Sequence, residues 1–353
     1  MRIDGREYSK QDVRKRVGDM EQIAGVRKMQ FAEGKAKNLS CYEFNTGGGL
    51  EYTILADRGL DIALARYKGY AFSYCSKTGF AQPCFYSENK AEGFLRVFGA
   101  GLLTTCGYTY MGAPCEVNGK NYGLHGKATG IPADQLCARA MWIEDEYEIT
   151  VSGAMRESIV FGENVVLQRK ISSLAGQNVI YIDDVLKNEG YQPTPLMMLY
   201  HINFGFPFLS EETELYIPAI RTEPTCGNED RSEYLKIERP QENYVERVYY
   251  HDIQSHLDGS TVVGLFNPEL NDPFGVYIRF NKHQLPVLTQ WKQMGEQDYV
   301  LGLEPGTNKT LGYRHAKEHE RLIILEPEEE YHIHAEIGII ETQQSWEKLK
   351  KEF

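Results

Sequence analysis

The sequence predicts a mainly β protein built as one large antiparallel β domain. Short β-rich segments recur every ~8–12 residues with turn residues between them, the pattern of a sandwich or barrel. No long helical period interrupts them, which argues against βαβ units and a parallel sheet. No low-complexity linker divides the 353 residues, so they read as a single β domain, 26–353, behind a helical extension, 1–25.

In the extension, Val13, Val17, Met20 and Ile23 recur at intervals of four and three. That spacing predicts a short amphipathic helix over 9–23, with Ser9 or Asp12 as its cap. Its apolar stripe could pack on its own subunit or on a second copy, so a homodimer is open. Residues 49–66 read as two short strands around an Asp57-Arg58-Gly59 turn. Phe94 to Gly107 begins as a strand and becomes rich in Gly and small residues, which lets backbone approach backbone or ligand closely. The phosphate-loop order G-x-x-x-x-G-K-[ST] is missing there. Strands are expected over 136–143, 147–153, 164–171 and 179–186, and again over 214–218, 260–266, 275–280, 286–291, 321–325 and 331–340. The polar interval 223–246 reads as a long surface excursion. In Val300-Leu-Gly-Leu-Glu-Pro-Gly-Thr-Asn308 an apolar run meets one carboxylate and then Pro305-Gly306. This predicts a buried strand stopped by a turn, with Glu304 at its end.

The net charge of −12 and the pI near 5.3 argue against a nucleic-acid partner. The 23 Tyr and 12 % aromatic content suit stacking on a neutral ligand. The seven Cys, from Cys41 to Cys226, are scattered and form no C-x-x-C pair, which fits free thiols in a reducing compartment. The N-terminus has no apolar signal-peptide core, and no apolar run approaches the ~20 residues of a membrane helix. The expectation is a cytoplasmic protein without a membrane partner.

A lone acid is rarely buried without a partner, so Glu304 needs hydrogen bonds or a chemical task, and a raised pKa would suit a general base. Three histidines have distinctive settings: His125 between glycines in Gly123-Leu-His-Gly126, His201 in the strand-like Leu199-Tyr-His-Ile-Asn-Phe-Gly205, and His251 in Tyr250-His-Asp252. Each could equally be a structural histidine satisfied by its neighbours. His332 and His334 share a strand face but lack a third metal ligand at plausible spacing, and read as a surface pair. His315 and His319 lie in a charged segment without the H-E-x-x-H arrangement. Cys106 reads as a small buried hydrophobe.

Phe98-Gly-Ala-Gly-Leu-Leu-Thr-Thr-Cys-Gly107, Gly123-Leu-His-Gly126, Leu199-Tyr-His-Ile-Asn-Phe-Gly205 and Gly302-Leu-Glu-Pro-Gly-Thr-Asn308 occur in that order. Together they resemble the aldose 1-epimerase (galactose mutarotase-like) superfamily over residues 40–345, in particular its bacterial branch known as a domain of unknown function. The resemblance implies a β-supersandwich with an open sugar cleft on one sheet, and an isomerase that interconverts sugar anomers without a metal or redox cofactor. It implies His201 as general acid and Glu304 as general base, with His125 hydrogen-bonded to the sugar. Arg96 matches an arginine that contacts sugar hydroxyls. Asp252 is the best candidate for the family's substrate-binding aspartate, and Lys292 also faces the cleft in this reading. The longer Asn-Arg motif of the mutarotases is replaced here by Phe94-Leu-Arg-Val-Phe-Gly99, which leaves room for an acidic, deoxy or phosphorylated sugar.

Mutarotation removes the anomeric hydroxyl proton while protonating the ring oxygen, so a carboxylate and an imidazole meet its needs. The competing readings are a non-catalytic sugar-binding or sensing module on the same scaffold, and an epimerase, isomerase or lyase of an unusual sugar.

Overall fold

Alternating apolar and polar residues lay out two stacked antiparallel sheets. The computed structural model describes residues 1–3, 5–117, 119–225, 232–319 and 322–353; Cys226 and Arg321 lie outside these. Across the larger sheet the order runs Ala219–Pro224, Arg247–Ile253, Val287–Met294, Tyr299–Gly306, Thr194–Gly205, Leu103–Tyr108, Asp61–Tyr67, Leu50–Leu55, Ser40–Asn45 and Gly25–Gln30. The second runs Asp134–Ile143, Glu146–Ser158, Asn164–Leu174, Val179–Asn188, Glu330–Ile340, Phe274–Asn281, Ser260–Asn267 and Glu214–Tyr216.

Successive strand residues point to opposite faces, and this decides what lies between the sheets. Tyr200, Ile202, Leu301 and Leu303 enter one core with Ile149, Leu167, Ile182, Ile278 and Ile337 of the second sheet. Their neighbours Leu199 and Val300 point outward into a separate apolar cluster with Phe94, Phe98 and Cys106. The short helix Lys90–Leu95 belongs to this outer layer, so the outer face is partly roofed.

A polar bolt crosses the inter-sheet core. Arg169 donates to both oxygens of Asp184 at 2.8 and 2.6 Å, to Thr105 Oγ1 on the facing sheet at 2.6 Å, and to Gly59 O in a turn of that sheet at 3.0 Å. Tyr200 donates to Asp184 at 2.5 Å.

Two expectations about local structure change. The N-terminal helix covers only Lys10–Arg14, capped by Ser9, and Asp19 starts a separate 3-10 turn over Met20–Gln22. Gly18 and an extended Asp19 break the stripe between them. Val13 is buried, and Met20 and Ile23 pack on the chain's own main core. The buried strand does end at Pro305-Gly306, but these two are its last paired residues and not a turn beyond it. The strand runs Tyr299–Gly306 and pairs with Val287–Met294 throughout. On its other side the ladder pairs Leu199 with Gly306 and then Ile202 with Leu303, skipping the positions of Tyr200 and His201. Proline has no N–H to give there. Glu304 therefore sits inside a strand, opposite His201, where the ladder is open.

The Gly-rich run is used for close backbone approach. A Cβ on Gly101 would lie 2.6 Å from Ile62 O, and Gly101 adopts φ +90°.

Candidate active site

Register brings the outer-face residues of four strands together. His201 pairs with Thr104, and Glu304 pairs with Thr289. Directly opposed residues of an antiparallel pair share a face. His201 Nε2 lies 3.2 Å from Glu304 Oε1, although neither Oε1 nor His201 Nδ1 has an aligned hydrogen-bond partner. The two groups are in contact without a formed hydrogen bond.

Aromatic rings enclose this pair. Phe98 and Trp291 lie with centroids 5.2 and 5.4 Å from the His201 ring, and His125 stands edge-on at 5.8 Å. Trp291 is held by its Nε1–H, which donates to Glu246 at 2.7 Å. His201 is 5 % and Glu304 2 % exposed, so the pair is buried and not laid bare in the open cleft that the sequence resemblance implies.

Desolvation disfavours every charge in such a place. It pulls the His201 imidazole down to about 3, helped by the neighbouring His125 and opposed by Asn203. It pulls His125 down to about 4. Burial, and then the negative Glu246, push the Glu304 carboxyl well above its ordinary range. Burial thus favours the uncharged form of each group, an imidazole that resists a second proton beside a carboxyl that holds its proton more tightly than usual.

His125 is positioned by backbone: its N–H donates to Gly112 O at 2.9 Å, and its carbonyl accepts from Gly107 N at 3.0 Å. It sits at φ +60° in the loop after the strand Lys120–Tyr122. The other sequence candidates are placed elsewhere. Lys292 does not face the pair. It is one residue from Trp291 and so points to the opposite side of the sheet, where it is fully buried against Glu238 at 2.5 Å. Desolvation lowers its pKa, partly opposed by Glu238. Asp252 lies two strands from Glu304 with a half-exposed side chain, paired to Lys282 at 2.6 Å. Arg96 caps the helix Lys90–Leu95 and points into solvent, paired with Glu92 at 3.0 Å.

His251 is a satisfied structural histidine. Gln290 Nε2 donates to Tyr234 O at 2.8 Å, which aims Oε1 at His251 Nε2, 3.0 Å away. Nε2 therefore carries the proton, and Thr222 donates to Nδ1 at 3.0 Å. Burial lowers this histidine to about 4. Because the folded value lies below the unfolded one near 6.5, its stabilisation is complete above pH 6.5 and is lost as the pH falls toward 4. The expected result is that wild type loses about 1.4 kcal/mol more per pH unit in that window than His251→Gln. Urea unfolding of both proteins at pH 7 and pH 5 measures it; parallel losses refute it.

Phe98, Thr289, Asn203 and Gly302 were not singled out by sequence as site residues. Phe98 stands in the Gly-rich motif and Gly302 in the Glu304 motif, but Thr289 carries no signal until its pairing with Glu304 is known. Thr289 Oγ1 is buried with no hydrogen-bond partner. Leaving a buried donor unpaired costs roughly 1–3 kcal/mol, and this one lies on the strand directly opposite Glu304. A groove of about 450 Å³ on the far part of the sheet is lined by Glu21, Arg27, Glu43 and Arg66 but by no histidine, and offers no comparable acid–base pair. Among the described residues no group of three or more His, Cys, Asp or Glu is placed to hold a metal ion. His332 and His334 are exposed and pair with Glu330 and Asp183.

A profile for the family described as Domain of unknown function (DUF4432) matches residues 36–339. No curated protein matches the sequence. Among solved structures, a protein of Klebsiella pneumoniae provisionally named an aldose 1-epimerase aligns at TM-score 0.85 and 25 % identity, over 92 % of this chain and 86 % of that one. A galactose mutarotase-like protein from Clostridium acetobutylicum aligns at TM-score 0.63 and 15 % identity, over 91 % and 100 %. A galactose 1-epimerase from Lactobacillus acidophilus aligns at TM-score 0.59 and 11 % identity, over 91 % and 100 %. The fold is the galactose mutarotase-like β-sandwich.

Proposed function

The chain belongs to the DUF4432 family, and from that premise we propose that it is a cofactor-independent aldose 1-epimerase whose acid–base pair is His201 and Glu304. The observation that carries this reading is the 3.2 Å contact between two buried proton-exchanging groups, beside an unpartnered hydroxyl and aromatic rings. The names of the related structures point to the same chemistry.

In the proposed reaction, movement of the single proton from Glu304 to His201 creates a carboxylate and an imidazolium. Glu304 takes the proton from the anomeric hydroxyl as His201 gives its proton to the ring oxygen. The C1–ring oxygen bond breaks with its electron pair going to the ring oxygen, and the anomeric oxygen becomes the aldehyde. Rotation about C1–C2 and the reverse transfers close the other anomer. No charge leaves the site at any stage, which suits a desolvated pair. Thr289 offers its hydroxyl to the sugar, His125 offers Nδ1, and Trp291 an apolar face.

Proton exchange NMR of α and β anomers over a panel of aldoses tests this. The expected result is exchange faster than the buffer rate for at least one sugar, in proportion to protein. Saturable binding with no acceleration for any member refutes the enzyme and leaves a binding module. Deuterium entering C2 instead indicates a carbon-acid isomerase.

A further inference from the structure

Resting on the acid–base reading above, we infer that Gly302 is a positioning residue for Glu304. Its missing side chain is the notch that lets the carboxyl fold back along its own strand and reach His201.

Gly302 is buried in the middle of Tyr299–Gly306, between Trp291 on one neighbouring strand and Asn203 on the other. A glycine inside a strand weakens it and needs a reason. Backbone conformation is not the reason, because Gly302 does not have the positive φ that marks Gly101, Gly107 and Gly126. Close backbone approach is not the reason either. A Cβ on Gly107 would run into Met197 O, and one on Gly126 into Tyr110 O, both main-chain atoms. At Gly302 the first atom met is Glu304 Oε1, at 2.5 Å, followed by Trp291 Cβ at 3.2 Å and Glu304 Cδ at 3.4 Å. The oxygen that excludes a methyl group at 302 is the same one that lies 3.2 Å from His201 Nε2.

The carboxyl is thus seated over bare Cα, walled by its two flanking strands. A side chain at 302 lifts Oε1 from that seat. Since a flexible terminal oxygen yields easily, the displacement disturbs the site far more than the fold. Misplacing a reacting group by about 1 Å can lower a rate roughly 10²-fold.

The test is Gly302→Ala, measured by anomer exchange on the best sugar of the panel and by thermal melting. The expected result is a loss of roughly 10²-fold in kcat with no drop in Tm. The same substitution in a Glu304→Gln background is expected to change the residual rate little, because Gly302 acts only through Glu304. Infrared difference spectra of wild type against Glu304→Gln give the carboxyl band of Glu304, which is expected to shift in Gly302→Ala. That band needs no substrate, so it judges this inference even if no aldose is turned over. An unshifted band overturns the inference, as does a kcat within about twofold of wild type or a loss that repeats in the Glu304→Gln background. If Gly302→Ala does not fold, the pair Gly302→Ala/Glu304→Ala is expected to fold, and failure of that pair also overturns it.

Discussion

Replacing Glu304 by glutamine is expected to lower catalysed anomer exchange by about 10²–10⁴-fold, the usual contribution of one acid–base group, while the protein stays folded. Glutamine keeps the size and planarity of the side chain and removes only its exchangeable acidity. The stability half of this prediction follows from burial. Desolvation already favours the neutral form of the Glu304 carboxyl, and a neutral amide adds no charge to the site. A Tm equal to or above that of wild type, with exchange near the buffer rate, is the expected combination. Exchange at the wild-type rate removes Glu304 from the chemistry. The pH profile supplies a second reading. The working pair holds one proton, so activity falls on the acid side as His201 gains a second proton and on the alkaline side as Glu304 loses the only one. With His201 drawn down to about 3 and Glu304 pushed well up, the plateau is expected to be broad, spanning neutral pH. The limits belong to the pair and not to either residue alone.

Arg169→Met is expected to destabilise the fold by about 3–5 kcal/mol, because it strips the cation from a buried network and leaves a carboxylate uncompensated. Arg169 and Asp184 are each no more than 1 % exposed, and Asp61 lies 3.8 Å from the guanidinium. Those links join the two sheets directly behind His201, since Tyr200, its neighbour in sequence, donates to Asp184 from the core side. Urea unfolding of wild type and variant measures the loss. The pair Arg169→Met/Asp184→Leu is expected to recover part of it, since replacing a whole buried ion pair with apolar groups is far milder than breaking one. A single-variant loss under about 1 kcal/mol contradicts the account.

Most of the β architecture was legible because strand periodicity is local. The runs at 136–143, 164–171, 179–186, 260–266 and 331–340 all fall within observed strands. Less legible was how strands end. Pro305-Gly306 carries a turn signal, but both residues are still paired with Val287–Met294 as the last of the strand. The extension's stripe of four apolar residues similarly ignored Gly18, which splits it into two short turns.

Within the site, chemical type was readable one residue at a time. His125 stands out in the sequence because it lies between glycines, His201 because it interrupts a strand-like apolar run, and Glu304 because it is the lone acid after one, and the fold gathers all three. Lys292 shows the limit. In a strand, a shift of one position turns a side chain to the other face, so Trp291 covers the pair while Lys292 lies on the far side of the sheet. Arg96 and Asp252 have suitable chemistry, but their surroundings hold them to Glu92 and Lys282 at the surface. By itself, then, the sequence determined the class of fold, the strands and the residue types capable of proton transfer, all of which depend on neighbours along the chain. Tertiary structure alone decided the 3.2 Å contact, the side of the sheet each candidate faces, and the direction in which His201 and Glu304 titrate. Those depend on strand register and on exclusion of water, which arise only when segments distant in sequence are packed together.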